Sequence, residues 1–218
     1  MMKKLIIFDL DGTLIDTLQD LNNAVNHALI PENVQQNLEH TRISIGNGVR
    51  KLMERSVPDG LHNPNFETMF NDFKNFYSKN YKVYTTRYDG IFDLISRLKE
   101  DGFHLAVCTN KIQSIADDLI KFLYPNLFDL VIGDREGIKK KPDPEMLNIA
   151  MSYFGVSTDE TLYVGDTNVD LQVALNAHVD YLIVTYGYRT RDELLQYTKN
   201  RLIDSPSELY KNIKSFNQ

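Results

Sequence analysis

Five short apolar runs punctuate the chain: LIIF before Asp9, FHLAVC before Thr109 and Asn110, FDLVIG over 128–133, TLYVG before Asp166, and YLIVT over 181–185. Runs that stay apolar at consecutive positions, rather than at every second one, suit strands covered on both faces, as in a parallel sheet. Between them the period changes to that of a helix. Residues 89–101 place Ile91, Phe92, Leu94, Ile95 and Leu98 on one face, with Gly102 where a C-terminal cap belongs. Residues 112–123 repeat the pattern with Ile112, Ile115, Ala116, Leu119 and Leu123. Residues 144–154 and 168–177 also read as helices, and Pro142 and Pro144 mark the entry to the first of these. Strand and helix in alternation predict an α/β fold, a doubly wound parallel sheet with right-handed crossovers.

One segment departs from this rhythm. From residue 16 to about residue 85 no strand pattern appears, only helical periodicity. Leu18, Leu21, Val25, Ala28 and Leu29 make one amphipathic face. Phe66, Met69, Phe70, Phe73, Phe76, Tyr77 and Tyr81 make another, whose aromatic stripe reads as helix-on-helix core. The expected organisation is therefore an α/β core of residues 1–15 and 86–218, with an α-helical domain of residues 16–85 inserted after the first strand. No internal repeat or low-complexity segment is present.

Composition narrows the classes. The 218 residues are 42% hydrophobic and 25% charged, the balance of an ordinary soluble globular protein. A formal net charge of -6 argues against a nucleic-acid partner, because neutralising phosphates needs a basic face. No apolar stretch is long enough to span a bilayer, the N-terminus lacks a signal-peptide layout, and no membrane partner is expected. Cys108 is the single cysteine, which excludes an intramolecular disulfide and fits a cytoplasmic location. It lies inside an apolar run and reads as a packed core thiol.

The chemistry collects at the ends of the strands. Ligands of open parallel sheets bind outside the carboxyl ends of the strands. Three runs finish there in acids, hydroxyls or amides. Asp9, Asp11, Asp166 and Asp170 on one rim would repel one another and raise some pKa values unless a cation held them. A hard, oxygen-seeking ion such as Mg2+ suits such carboxylates. Lys141, in a turn shaped by two prolines, offers an ammonium to an anion, and Thr109 and Asn110 offer a hydroxyl, an amide and backbone donors. Gly12 lets the chain curl back so that the following amides can also face an anion. Carboxylates for a metal beside donors for an anion point to a phosphoryl group between them. Neither GxxxxGK[ST] nor a GxGxxG after the first strand is present. Asp16 reads as a helix N-cap at the start of the insert, Lys139 and Lys140 as solvated charge, and the five histidines show no metal-ligand spacing.

In four ordered places the sequence resembles the haloacid dehalogenase superfamily of aspartate-nucleophile phosphatases: DLDGTLIDT, CTN, the lysine of KPDP, and GDTNVD. The helical insert resembles that family's C1-type cap. The resemblance implies a HAD-like Rossmannoid core, with Asp9 as nucleophile and Asp11 as general acid and base. It also implies Mg2+ held by the Asp9 carboxylate, the Asp11 main-chain carbonyl and the Asp166 carboxylate, with Asp170 behind them. Thr109, Asn110 and Lys141 would bind the phosphate oxygens.

The insert is where the leaving group would be chosen. In ISIGNGVRKLMERSV (43–57), Gly46, Asn47 and Gly48 form a turn entering an amphipathic helix whose first amides could face an anion. This stretch, together with VTYGYR (184–189) and RLIDSPSEL (201–209), resembles the phosphoglycolate phosphatases. The implied substrate is a small phosphorylated metabolite, 2-phosphoglycolate, whose carboxylate would meet Arg50, Lys51 or the Gly46–Gly48 amides. Arg50 and Lys51 equally suit a solvated helix face. The alternatives are a phosphomutase of the β-phosphoglucomutase type or a pyrophosphatase on the same core. A non-enzymatic receiver-like domain phosphorylated on Asp9 explains neither Thr109 nor the long insert.

Overall fold

The structure is a computed structural model that describes residues 2–217. In chain order its elements begin with β1 (Leu5–Phe8) and β2 (Ile15–Asp16). Four helices follow: α1 (Leu18–Ala28), α2 (Leu38–Ser44), α3 (Val49–Ser56) and α4 (Phe66–Asn80). After β3 (Thr86–Arg87) the chain alternates: α5 (Ile91–Glu100), β4 (His104–Ile112), α6 (Gln113–Leu123), β5 (Leu130–Asp134), α7 (Glu145–Phe154) and β6 (Thr161–Gly165). It ends with α8 (Asn168–Asn176), β7 (Asp180–Val184), α9 (Arg191–Leu194), β8 (Leu202–Ile203) and α10 (Pro206–Ser215). The chain forms two compact units, one built from the stretch up to Ile15 and from Arg87 onward, the other from Asp16–Thr86.

The larger unit is the expected doubly wound α/β fold. Its six strands run parallel in the order β5-β4-β1-β6-β7-β8. Every predicted strand is present, and the short edge strand β8 is an addition. β1 is central because it is apolar at every position, and all four of its residues are fully buried. On one face Leu5, Ile7, Ala106, Cys108 and Tyr163 pack with Met146, Leu147 and Ala150 of α7 and Val173 and Ala174 of α8. The alternate residues Ile6, Phe8, Leu105, Val107, Leu162 and Val164 are just as buried, and Phe8 meets Phe128 edge-on. β1 and β4, successive strands of this sheet, lie side by side in it, and after β5 is added outside β4 the chain returns past β1 to lay down β6 on its other side. This reversal places the carboxyl ends of β4, β1 and β6 side by side.

The smaller unit is helical. α1 packs on α4, burying Leu21, Ala24, Val25 and Ala28 with Phe66, Met69, Phe70, Phe73 and Tyr77. Asp20 is buried and accepts from the Tyr84 and Thr85 amides and the Thr85 hydroxyl, which pins the start of α1 to the segment after α4. The N-cap of α1 is Thr17, not Asp16 as the spacing suggests. Asp16 sits one residue earlier, where its Oδ1 accepts from the Leu18 amide at 2.9 Å. The pair β2 and β3, two residues each, was not foreseen; both strands are too short to leave a periodic signal.

Candidate active site

Asp9 follows directly on β1, with its amide donating to Val164 O of β6 at 2.8 Å. It is buried, and its Oδ1 takes the Leu10 amide at 2.7 Å and the Lys141 ammonium at 2.8 Å. Lys141 comes from the turn before α7 and is also buried. Its Nζ lies 2.8 Å from Asp170 Oδ1 and 2.8 Å from the Tyr163 hydroxyl, which itself donates to Asp170 Oδ1 at 2.8 Å. The Asn110 side chain grips the Lys141 peptide from both sides: Oδ1 accepts its N–H at 2.8 Å and Nδ2 donates to its carbonyl at 3.0 Å. The end of β4 thus fixes the lysine that meets the end of β1.

Asp166 and Asp170 arrive on the far side. Thr167 caps α8 in a reciprocal box with Asp170, a short polar residue accepting from the third helical position and being met in return. Asp170 accepts from the Asp166 and Thr167 amides, the Thr167 hydroxyl, Tyr163 and Lys141. Its lone pairs are therefore largely engaged. Asp166 is wholly buried and accepts from the Thr13 hydroxyl at 3.1 Å and the Tyr188 amide at 2.7 Å. Two glycines make room for it. A Cβ on Gly12, whose φ is +85°, would fall 2.3 Å from Asp166 Oδ2, and one on Gly187 would fall 2.5 Å from Asp166 Cβ.

The electrostatics follow from this burial. Desolvation and the Asp170 charge push Asp9 up to about 7, against the pull of Lys141. Asp166 rises well above the carboxylate range through burial and the charges of Asp170 and Asp9. Burial acts on Asp170 too, but Lys141 and its hydrogen-bond donors outweigh it and hold that carboxyl below its ordinary value. For Lys141 the penalty of burial is overcome by Asp170 and Asp9, which raise its pKa. Carboxylate oxygens of Asp9, Asp166 and Asp170 lie within 4.8 Å of one another. This set of buried, mutually repelling acids fits a divalent cation, with Asp9 and Asp166 the better placed to hold it because Asp170 is committed to its other donors.

The remaining expected residues are nearby in the same unit or lie in the other. Thr109 is buried within β4, three residues before its last, and its Oγ1 accepts the Lys111 amide at 3.2 Å. Asp11 does not join the cluster of three acids; its carboxylate is held by Lys111 at 2.9 and 3.1 Å. In the helical unit, Gly46 and Gly48 have φ of +118° and +83°, and Gly48 is the N-cap of α3. Asn47 accepts from Arg55, while Arg50 pairs with Glu67 and lies over the rings of Phe66 and Phe70. Sequence reasoning missed Thr13, Lys111, Tyr163, Thr167 and the Tyr188 amide. Lys111 carried a readable signal, since it directly follows Thr109 and Asn110 at a strand end; Tyr163 looks like any other core aromatic.

The fold thus gathers a buried aspartate after β1, a lysine from the turn before α7 and an acidic pair after β6 at one edge of a parallel sheet. The family model for haloacid dehalogenase-like hydrolases matches residues 6–184. A phosphoglycolate phosphatase of Colwellia psychrerythraea is 31% identical, with 97% of each chain covered. Another, from Aquifex aeolicus, is 31% identical over 95% of each. Among solved structures, a candidate phosphoglycolate phosphatase from Lactobacillus delbrueckii subsp. bulgaricus superposes with a TM-score of 0.92 at 28% identity, covering 98% of this chain and 99% of that one. The chain belongs to the haloacid dehalogenase-like hydrolases, in their phosphatase branch. Among the described residues no helix is long and apolar enough to cross a membrane.

Proposed function

We propose that the protein is a Mg2+-dependent phosphatase of a small phosphate monoester, with 2-phosphoglycolate the first candidate, and that it works through an aspartyl-phosphate on Asp9. The observation that carries this reading is Lys141 Nζ at 2.8 Å from Asp9 Oδ1, with the Lys141 backbone held by Asn110 and Asp9 clustered with Asp166 and Asp170. An attacking carboxylate needs a cation beside it to let an anionic phosphate approach, and it needs no base to activate it.

The chemistry runs in two balanced steps. An Asp9 oxygen bonds to phosphorus as the bond from phosphorus to the ester oxygen breaks, and the departing oxygen takes a proton from Asp11. Water then bonds to phosphorus, giving its proton to Asp11, while the bond to Asp9 breaks and phosphate leaves. Lys141, the Thr109 hydroxyl and the Asn110 amide meet the equatorial oxygens, whose charge dominates the barrier. Asn110 serves by holding the Lys141 peptide as well as by its own amide. Asp9, Asp166 and the Asp11 carbonyl would hold the Mg2+, which when bound screens the charge between nucleophile and phosphate.

The helical unit supplies selection in this reading. Gly46, Asn47 and Gly48 lead into α3, whose first amides suit a small carboxylate, and Arg50 in its first turn would exchange Glu67 for that carboxylate. The buried thiol of Cys108, with its pKa pushed up to about 12 by desolvation, suits the cytoplasm, where no disulfide is asked of it.

The test is a phosphate-release screen over small phosphomonoesters, with and without Mg2+, on wild type and Asp9→Asn. Metal-dependent release that Asp9→Asn abolishes is the expected result, and substantial turnover by that variant would overturn the nucleophile assignment. A preference for 2-phosphoglycolate that survives changing both Arg50 and Gly48 would remove the selection proposal.

A further inference from the structure

We propose that Lys111 is the positioning residue for Asp11, gripping its carboxylate so that the proton it carries meets the leaving oxygen; this rests on the phosphatase reading above. Lysine is almost never fully buried without a partner, yet Lys111 is only 4% exposed. Its ammonium reaches both Asp11 oxygens, at 2.9 and 3.1 Å, while the Asp11 side chain keeps 14% of its surface open. The lysine is thus the embedded half of the pair and the aspartate is the half that faces outward.

The backbone that carries Lys111 is itself braced. Cys108 pairs with Ile132 and Ile112 with Asp134, so β4 takes four residue steps (112 − 108) where β5 takes two (134 − 132). Such a bulge re-aims the side chains within it, and Thr109, Asn110 and Lys111 are the residues inside. It seats against Gly133, where a Cβ would come within 2.8 Å of Lys111 O and 2.7 Å of Gln113 Cα. Gln113 closes the other side, accepting from the Gly133 amide at 2.6 Å and donating to Val131 O at 3.1 Å. Asp11, by contrast, sits in a turn beside Gly12 at φ +85°. A grip from a rigid strand on a group in such a turn is how a proton donor acquires a defined place, and that placement carries much of an acid catalyst's effect.

A lysine that only offset the acidic rim would affect every substrate alike. The proposal separates substrates by leaving group. In single-turnover quench measurements of phosphoryl transfer to Asp9, Lys111→Met should slow the alkyl monoester that wild type uses best by about 100-fold, since its alkoxide needs the proton. p-Nitrophenyl phosphate, whose phenolate departs unprotonated, should slow by less than about 5-fold. The ratio of the two on one preparation does not depend on how much of the variant is folded. In an Asp11→Asn background Lys111→Met should change the alkyl rate by less than about 2-fold. Equal slowing of both substrates, or slowing of neither, overturns the inference while leaving the phosphatase reading intact. Wild type that releases no phosphate, or that Asp9→Asn fails to disable, sinks that reading and takes the inference with it.

Discussion

Lys141 Nζ and Asp170 Oδ1 stand 2.8 Å apart, each with about 1% of its side chain exposed. The same ammonium serves Asp9 at 2.8 Å, so one cation offsets two of the three clustered acids. Removing it leaves those charges buried and unpaired. Lys141→Met should abolish turnover and cost about 3–5 kcal/mol of stability. Urea melts at pH 7.5 without metal check the second figure, and a melt indistinguishable from wild type would contradict it.

Stability should depend on pH in a way that metal reverses. Asp9 has an ordinary value of 3.8 and rises to about 7 in the fold, so the folded state holds that proton more tightly. The stability this contributes is full below about 4 and is lost as pH rises through about 7; Asp166, also raised, acts in the same direction. Asp170, whose pKa is lowered, contributes stability above its ordinary value that is lost as pH falls. Thermal melts in a chelator between pH 5 and 8 should therefore decline towards pH 8 from these two groups, and Asp9→Asn or added Mg2+ should flatten the decline.

Asn110 can be tested apart from charge. Asn110→Ala removes both hydrogen bonds to the Lys141 peptide and leaves a buried N–H and carbonyl without that partner. A loss of about 1–3 kcal/mol is expected, with turnover falling more than 10-fold by the order of one lost transition-state donor. The same melts read the loss of stability.

Gly187 offers a steric test. A Cβ there would lie 2.2 Å from Gly12 O and 2.5 Å from Asp166 Cβ, with backbone and a buried acid as the obstacles. Gly187→Ala should displace Asp166, weaken the response to Mg2+ and cost about 1–3 kcal/mol. Gly137→Ala, at a glycine with φ +82° and nothing within 4 Å of its added Cβ, isolates backbone strain. It should leave the Mg2+ dependence of phosphate release unchanged.

The chain by itself determined where the strands stop. LIIF, LAVC and LYVG are apolar without interruption because both faces of a parallel sheet are covered, so the first polar residue after the first and last of them marks a carboxyl end. That logic put Asp9 and Asp166 directly after β1 and β6, whereas β4 runs on through Thr109 to Ile112; the helical period alone suggested an insert. What surrounds each acid was decided only by the tertiary structure. Asp166 and Asp170 come within reach of Asp9 because β6 runs beside β1, and Tyr188 lends its amide to Asp166 because the chain after β7 folds back over Gly12. Lys111 turns to Asp11 through an irregular β4, and an extra pair of residues leaves no trace in a hydrophobic pattern. Apolar periodicity reports which face of an element is dry. The partner of a buried charge is set by which elements the topology makes adjacent, and local sequence carries little of that.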